Sequence, residues 1–568
     1  MIPQISLLVN LYFKYVLFYL VIYLLGRSLV IIINYFYGDK NHLPNKILNT
    51  KSEYIYPLLG LVFLGNLLII INYFLPLKSI GTYLIIFFLL LINFTKFNKI
   101  DFNIISMNKI LIYVVIPVIL LISTIDITFH YDAGYYHLNH QNWLRESNMV
   151  VGMVNIFWAF GMSSIYEYIS AILWFDNSFV LLHMLSLYFI HFLYIFLFVK
   201  STDSESKLRY VSIFVIIFSL LDNVGISGGR NGFIYIQEVG KQDTAVAILF
   251  FVVTFFITEL LLLKKYSYID LIFLSLISFF IFQTKLNGVF IYLLLIVFFI
   301  FLIRDKITTV KKLFNLLLPN FIVAVFWFVK SYLTTGCVVF PINFTCKNFF
   351  SWYLQGSTIA YQEISTDASF SYIQYLNDKN SNFLDWFNDF FLSSQYSSFS
   401  EYYRSYYTNF IVSISIIFII KFLFFTSTKQ NKKITVTLYS FVIFNLVYLI
   451  LFGPIPRYSM GILTVFVGVL GVSVVKEKVN ISVVFLSCLI FLSVFSLIRL
   501  GSYQKIIETA DMAINNPEDP TSHYEEVPIY QNWIKPSNGD RCWVNLKCTM
   551  HVEEITLNSD NFFSIASR

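Results

Sequence analysis

Long apolar stretches separated by short polar stretches run along most of the chain. A helix that crosses a bilayer needs about 20 consecutive apolar residues. Fourteen stretches meet or approach that length, and those near residues 86 and 296 are short. The pattern predicts an all-α polytopic membrane protein with about 14 transmembrane helices. Their centres lie near residues 15, 64, 86, 117, 188, 216, 253, 276, 296, 323, 418, 444, 467 and 489.

Composition agrees with this prediction. Hydrophobic residues make up 57% of the chain and charged residues 13%, whereas soluble domains carry about 25% charged residues. These values exclude a soluble globular enzyme, a disordered chain and a fibrous protein.

The distribution of basic residues predicts the orientation. Alternate loops (26–53, 94–109, 200–209, 264–265, 304–312, 421–433 and 476–478) hold 22 of the 39 Lys and Arg residues. Together with their edges, the same loops hold 9 of the 33 acidic residues. Cytoplasmic loops are enriched in Lys and Arg, so we expect this set to be cytoplasmic and the opposite loops to face outward. The net charge of +6 is therefore an orientation signal, and no nucleic-acid partner is expected.

Two regions follow: a transmembrane domain over 1–500, with outward loops 126–177, 226–243 and 335–408, and a small outward tail domain over 501–568. The aromatic stretch 155–174 predicts one or two helices lying in the membrane interface. Two cysteine pairs, Cys337/Cys346 and Cys542/Cys548, fall on the outward side. Disulfides persist there, so two disulfides are predicted, with four free thiols as the alternative.

The first outward loop holds a cluster of ionisable residues. Asp132, Tyr136, His137 and His140 lie within nine residues, at the edge of the fourth span. Ionisable groups at a membrane edge are costly and usually functional. We expect an acid/base site or a divalent metal site formed by Asp132, His137 and His140. The alternative is a polar interfacial loop with a structural role.

Three outward cations and one acid extend this picture. Lys285 and Arg457 occupy tight turns, and Arg230 lies between glycines. A phosphate clamp would explain cations on this side, although snorkelling to lipid phosphates is an alternative. Asp243 begins the seventh span and is either a helix cap or a site residue.

Aromatic residues are dense in loop 335–408. Trp352 and Trp386 stand there beside acids and amides, an arrangement that suits sugar rings. An aromatic interfacial belt is the alternative, because Trp favours that position anyway.

Four motifs carry a resemblance to known proteins. The motifs are Asp132-x-Gly134-x-Tyr136-His137, Gly336-Cys337-x-x-Phe340-Pro341, Pro456-Arg457-Tyr458 and Cys542-Trp543…Cys548. Together they resemble a poorly characterised group of bacterial polytopic proteins that occur with surface-polysaccharide genes. More loosely, the architecture resembles the GT-C superfamily of membrane glycosyltransferases.

The GT-C resemblance implies an activity and its partners. It implies inverting transfer of a sugar from a polyprenyl-phosphate donor to a glycan or lipid-linked acceptor, at the outer face of the bacterial cytoplasmic membrane. Asp132 matches the acidic residue that acts as general base or binds a metal, although Ala133, not a second acid, follows it. His137 would orient Asp132, and Asp243 would bind a sugar hydroxyl or join Asp132.

Two alternatives remain open at this stage. An O-antigen or capsule repeat-unit polymerase would use a lipid-diphosphate oligosaccharide at the same cations. A transporter or flippase for a lipid-linked sugar would instead need ionisable residues within the spans.

Overall fold

The structure is a computed structural model of the chain. It describes residues 2–37, 45–96, 107–124, 129–174, 180–222, 236–264, 266–347, 371–379, 382–392, 400–427, 432–478, 524–529, 533–536, 540–549, 555–558 and 563–567, with a few single helical positions within 356–363 and 490–497. The described part is mostly helical, as expected for an α-helical membrane protein.

Helices fill the first half of the chain. They are α1 (Ile2–Tyr37), α2 (Asn45–Asn72), α3 (Ile80–Leu91), α4 (Met107–Ile110), α5 (Ile116–Thr124), α6 (Leu138–Glu146), α7 (Ile165–Ala171), α8 (His183–Thr202), α9 (Arg209–Ser219), α10 (Asp243–Leu263) and α11 (Tyr268–Thr284). Single turns of 3₁₀ or π helix connect several of them. The π turn Ala133–His137 leads directly into α6.

The second half adds helices and short strands. The helices are α12 (Ile291–Arg304), α13 (Val310–Leu316), α14 (Leu318–Thr335), α15 (Tyr372–Lys379), α16 (Phe383–Phe387), α17 (Ser400–Phe424), α18 (Lys432–Phe452) and α19 (Pro456–Val472). The strands are β1 (Phe425–Ser427), β2 (Val474–Glu477), β3 (Tyr524–Ile529), β4 (Trp533–Pro536), β5 (Thr556–Asn558) and β6 (Ile565–Ser567). Strands pair antiparallel as β1 with β2, β3 with β4, and β5 with β6.

Seven helices are long and apolar enough to cross a membrane, and an eighth span results if the bent pair α13–α14 is one crossing. The seven are Leu8–Tyr37, Tyr54–Asn72, His183–Thr202, Asp243–Leu263, Leu286–Arg304, Arg404–Phe424 and Ile434–Phe452. The count of fourteen is therefore not confirmed. Stretches near residues 86, 117, 276 and 467 form apolar helices of 10–17 residues, the stretch near 216 forms the 11-residue α9, and residues 479–489 lie outside the described residues.

The centre of the bundle is the pair α10 and α19. Of the window that spans α10, 83% is buried inside the protein, and α19 is buried along nearly its whole length. Both helices begin at the same end of the bundle, which we call the site end. Charged groups near their first turns are thus held by the best-packed part of the fold.

The stretch 155–174 packs inside the protein, whereas one or two helices exposed at a membrane interface were expected. It forms a 3₁₀ turn, Trp158–Met162, and the seven-residue α7, all of whose residues are buried. Ile165 packs against Gly65 inside α2, where a Cβ would come within 2.6 Å of the isoleucine side chain. Because this contact lies two turns below the end of α2, the segment enters the bundle and returns, which hydropathy alone does not reveal.

Candidate functional site

The site end brings together three helix termini that carry charge. Asp243 is the first residue of α10, Lys285 directly follows α11, and Arg457 lies in the first turn of α19. The consecutive helices α10 and α11 run in opposite directions, so the end of α11 meets the start of α10, and α19 begins at the same end of the bundle. This packing places the three side chains on one side of the bundle.

Asp243 and Lys285 form an ion pair. The Lys285 Nζ donates to Asp243 Oδ1 and also lies 4.6 Å from the centre of the Tyr458 ring. Asp243 is only 4% exposed. The cap of α10 is Gln242, which makes no side-chain cap bond. Asp243 is therefore a first-turn acid whose carboxylate is bound by a lysine, so the capping alternative does not describe it.

Asp132 is held by a second lysine. Lys241 Nζ lies 2.5 Å from Asp132 Oδ2, and His130 Nδ1 lies 3.5 Å from the same oxygen. Burial acts to raise the pKa of Asp132, but the charge and hydrogen bond of Lys241 outweigh it and bring that pKa below its ordinary value. Burial and Lys241 together lower the pKa of His130 to about 4. At neutral pH, Asp132 is thus ionised and His130 is neutral.

Arg457 differs from both lysines. Its guanidinium interacts electrostatically with Asp243 and Asp132, yet among the described residues no carboxylate oxygen lies within 4.0 Å of it. Its Nε is buried and has no hydrogen-bond partner in the described part of the chain. In this charged cluster (Asp132, Lys241, Asp243, Lys285 and Arg457) the cations outnumber the carboxylates by one, which favours an anionic ligand.

A cleft opens beside the charged cluster. It has a cavity volume of about 50 Å³ and lies between α10, α18, α19 and the 3₁₀ turn Leu286–Phe290. Its charged end is formed by Asp243, Arg457 and Tyr458. The remaining lining residues are the polar Asn287, Asn445 and Tyr448 and the apolar Val246, Ala247, Phe250, Phe290, Leu449, Gly461 and Ile462. The cleft therefore suits a ligand with an anionic group and a partly apolar body.

His137 belongs to a buried network of its own. Its Nδ1 lies 2.5 Å from Glu167 Oε1, and Gln141 Nε2 donates to the other oxygen of Glu167 at 2.6 Å. Gly240 packs on the imidazole: it has a φ of +85°, and a Cβ there would lie 2.2 Å from His137 Cδ2. We expected His137 to orient Asp132. In the structure its partner is Glu167, and it underlies the loop that presents Lys241.

The proposed metal triad does not form among the described residues. Asp132 binds Lys241, His137 binds Glu167, and the buried His140 packs its ring 5.4 Å from Phe160. Burial lowers the pKa of His140 well below its usual value. No group of three His, Cys, Asp or Glu side chains in the described part is placed to hold a metal ion, so metal dependence stays a prediction. Tyr136 is half-buried beside the His137 ring.

Trp386 has a packing role, which corrects the expectation that it would stack on a sugar. It is 1% exposed, and its ring lies parallel to Phe390 at 5.6 Å. The same apolar cluster contains Ile455 and Tyr458, so Trp386 supports the turn that carries Arg457. The two other proposed binding residues, Arg230 and Trp352, lie outside the described residues.

The tail docks on the loop of Asp132. Trp543 N donates to Gly134 O at 2.8 Å, and the indole occupies the space that a Cβ at Gly134 would need. Asn142 Nδ2 donates to Val544 O at 2.7 Å, and Tyr131 bonds Asp540. The tail therefore covers the loop at the site end.

Both cysteine pairs are bonded in the structure. The sulfur atoms of Cys542 and Cys548 are joined within the docked tail, and those of Cys337 and Cys346 are joined beside Val154. Both disulfides lie at the site end.

Comparison with known proteins gives one match. A family model described as a domain of unknown function (DUF8201) covers residues 11–464. The chain belongs to this family. No curated protein and no solved structure matches it.

The DUF8201 match includes the whole charged cluster, and the docked tail lies beyond it. The family description carries no activity. An assignment for this DUF8201 protein must therefore come from the chemistry of the cluster and the cleft.

Sequence reasoning missed four residues of the candidate site. Lys241 is an outward cation by the same rule that selected Lys285, so that rule could have found it. Glu167 is an acid within an apolar aromatic stretch, which is a signal in itself. Asn287 and Asn445 gave a weaker signal, because single amides in apolar segments commonly have structural partners.

Proposed function

We propose that this DUF8201 protein is a membrane glycosyltransferase. It would transfer a sugar from a polyprenyl-phosphate donor to a glycan or lipid-linked acceptor at the outer face of the bacterial cytoplasmic membrane. One observation carries the proposal: among the described residues, Arg457 has no carboxylate partner in a partly apolar cleft, beside two carboxylates that are each held by a lysine.

The donor phosphate fits the charged end of the cleft. Arg presents a planar set of donors that matches phosphate, and Lys adds a compact charge. Arg457 would bind the phosphate and Lys285 would share its charge. Helix α18 and the 3₁₀ turn that leads into α12 line the cleft, and both helices expose apolar side chains, among them Ile296 and Phe444. This supports entry of the isoprenoid chain from the bilayer.

Asp132 is the proposed general base. It is ionised and 27% exposed at the edge of the charged cluster. The acceptor oxygen would attack the anomeric carbon, the proton of its hydroxyl would pass to Asp132, and the bond from that carbon to the phosphate oxygen would break. The electron pair leaves on the polyprenyl phosphate, whose charge Arg457 and Lys285 stabilise. Direct displacement inverts the anomeric centre.

The role of Asp243 changes from the expected one. It is buried against Lys285, so we propose that it holds the lysine in place and leaves base catalysis to Asp132.

The outward orientation of the site also stays part of the proposal. Both disulfides at the site end support it, because disulfides persist outside the cytoplasm. A direct test uses single cysteines at Lys78 (site end) and Arg304 (opposite end) in a Cys488→Ser background. A membrane-impermeant maleimide should label only the Lys78 position from outside the cell.

The structure gives a transporter less support. Buried charges do occur within the described spans, and the two clearest cases have partners. Lys200 lies 2.7 Å from Glu259, and Lys330 Nζ donates to Ser163 O at 2.8 Å. Paired charges of this kind hold helices together and do not line a transport pathway for a substrate.

The decisive experiment is a transfer assay in proteoliposomes. Labelled polyprenyl-phosphate sugars and lipid-diphosphate oligosaccharides would be supplied separately, so that a polymerase is distinguished by its donor. Asp132→Asn should reduce transfer by about 10²–10⁴, whereas the control Asp305→Asn, at the opposite end, should not. Unchanged transfer by Asp132→Asn would remove the proposed base.

A further inference from the structure

Two amides line the cleft, and one of them lies well below its charged end. Asn445 belongs to α18 and lies seven residues before the end of that helix, so it sits about 10 Å below the helix terminus. Asn287 lies in the 3₁₀ turn that follows Lys285. With Asn445, the cleft thus has a polar side chain at a depth where a purely isoprenoid ligand would need none.

Both amides leave an acceptor oxygen for a ligand. Asn445 is 5% exposed, and its Nδ2 donates to Phe441 O at 2.8 Å within its own helix, which leaves Oδ1 as acceptor. The Oδ1 of Asn287 is buried and has no hydrogen-bond partner in the described part of the chain. An unsatisfied buried acceptor costs about 1–3 kcal/mol, so a donor from a ligand would be favourable here.

The lining around the amides is mostly apolar. Phe250 and Ile462 lie in the same cleft as the amides, and Tyr448 and Phe290 add aromatic rings whose centres are 4.3 Å apart. A body with apolar C–H faces and hydroxyl or amide N–H donors at its edge would satisfy both kinds of lining. A sugar ring has these properties, and an isoprenoid chain lacks the donors.

We propose that Asn287 and Asn445 form a sugar-recognition subsite, which accepts hydrogen bonds from hydroxyl or N–H groups of the donor hexose. The hexose lies in the cleft next to the phosphate that Arg457 binds, and the isoprenoid chain leaves toward the bilayer. This inference rests on the proposed function. It makes the two amides determinants of donor specificity, whereas Arg457 contributes binding energy to any lipid phosphate.

Calorimetric titration of the purified full-length protein tests the subsite. The ligands are citronellyl phosphate and citronellyl-phosphate-linked glucose, galactose, rhamnose and N-acetylglucosamine. In the wild type, at least one sugar-bearing ligand should bind about tenfold more tightly than citronellyl phosphate. Asn445→Leu and Asn287→Ala should each reduce that ratio several-fold, with citronellyl phosphate affinity unchanged. Asn445→Ala serves if the leucine variant does not fold, and the exposed Asn315→Ala is the control.

The outcomes separate the two proposals. If both amide variants keep the wild-type ratio, or if no sugar increases affinity, the subsite is overturned while the phosphate site stands. If the wild type binds none of these lipid phosphates, the proposed function fails, and the subsite fails with it. Two results together would support the proposal. Arg457→Gln should lose affinity for all the ligands, and the amide variants should lose only the extra affinity that the sugar provides.

Discussion

The buried ion pair of Asp243 and Lys285 can be tested by a double-mutant cycle. Lys285→Met removes the cation and leaves a carboxylate that is 4% exposed without its bonded partner. Asp243→Asn removes the negative charge but keeps the shape of the side chain. The double variant removes both charges, so its stability shows how much of each single loss comes from an unpaired charge.

The magnitude follows from burial. Removing one partner of a fully buried ion pair costs about 3–5 kcal/mol. Here the Lys285 side chain is 28% exposed, and the field of Arg457 still acts on Asp243. We therefore expect Lys285→Met to lower the free energy of unfolding by about 2–3 kcal/mol. The double variant should be at least about 1 kcal/mol more stable than the sum of the single losses predicts.

Unfolding by SDS in mixed micelles, followed by Trp fluorescence, measures these free energies. The matched control is Lys78→Met, because Lys78 forms an ion pair with Glu146 at 2.8 Å but is 56% exposed. Its loss should stay below about 1 kcal/mol. If Lys285→Met costs no more than Lys78→Met, or if the two single losses simply add, the reasoning about a buried coupled pair is wrong.

Two further predictions concern the Asp132 loop. Lys241 keeps the pKa of Asp132 below its ordinary value. The ion pair is therefore complete at a pH above the ordinary pKa of an aspartate, and it is lost only as the pH falls through the lowered pKa of Asp132. Lys241→Met should therefore move the acid limb of the pH–transfer profile to higher pH, and an unmoved limb would contradict the pairing. Gly134→Ala places a Cβ 2.8 Å from the Trp543 ring. It should increase amide hydrogen exchange over residues 540–549 and destabilise the protein by about 1–3 kcal/mol, and unchanged exchange would argue against docking of the tail.

Charge was the part of the site that sequence predicted best. Lys285 and Arg457 stand where basic residues are disfavoured by the expected orientation, and ionisable groups at a membrane edge are costly. The structure places both beside Asp243, with Asp132 in the same charged cluster. Sequence could not pair them, because the partners are 42 or more residues apart, and only packing of the helix ends brings them together.

Aromatic and histidine residues were less informative. Trp386 and His137 are of residue types that often bind ligands. In the structure, however, Trp386 is packed under a turn and His137 is bound to Glu167. Burial decides between these roles, and burial depends on contacts distant in sequence. The same limit applies to the spans: hydropathy identifies apolar helices such as α3 and α9, but does not show how many of them cross.

Binding of labelled undecaprenyl phosphate to the purified protein tests the central claim most directly. Arg457→Gln would be compared with the wild type and with Arg304→Gln, which removes an exposed arginine at the opposite end. The account predicts at least about a tenfold loss of affinity for Arg457→Gln and wild-type affinity for the control. Equal affinity in all three proteins would contradict a lipid-phosphate site at Arg457.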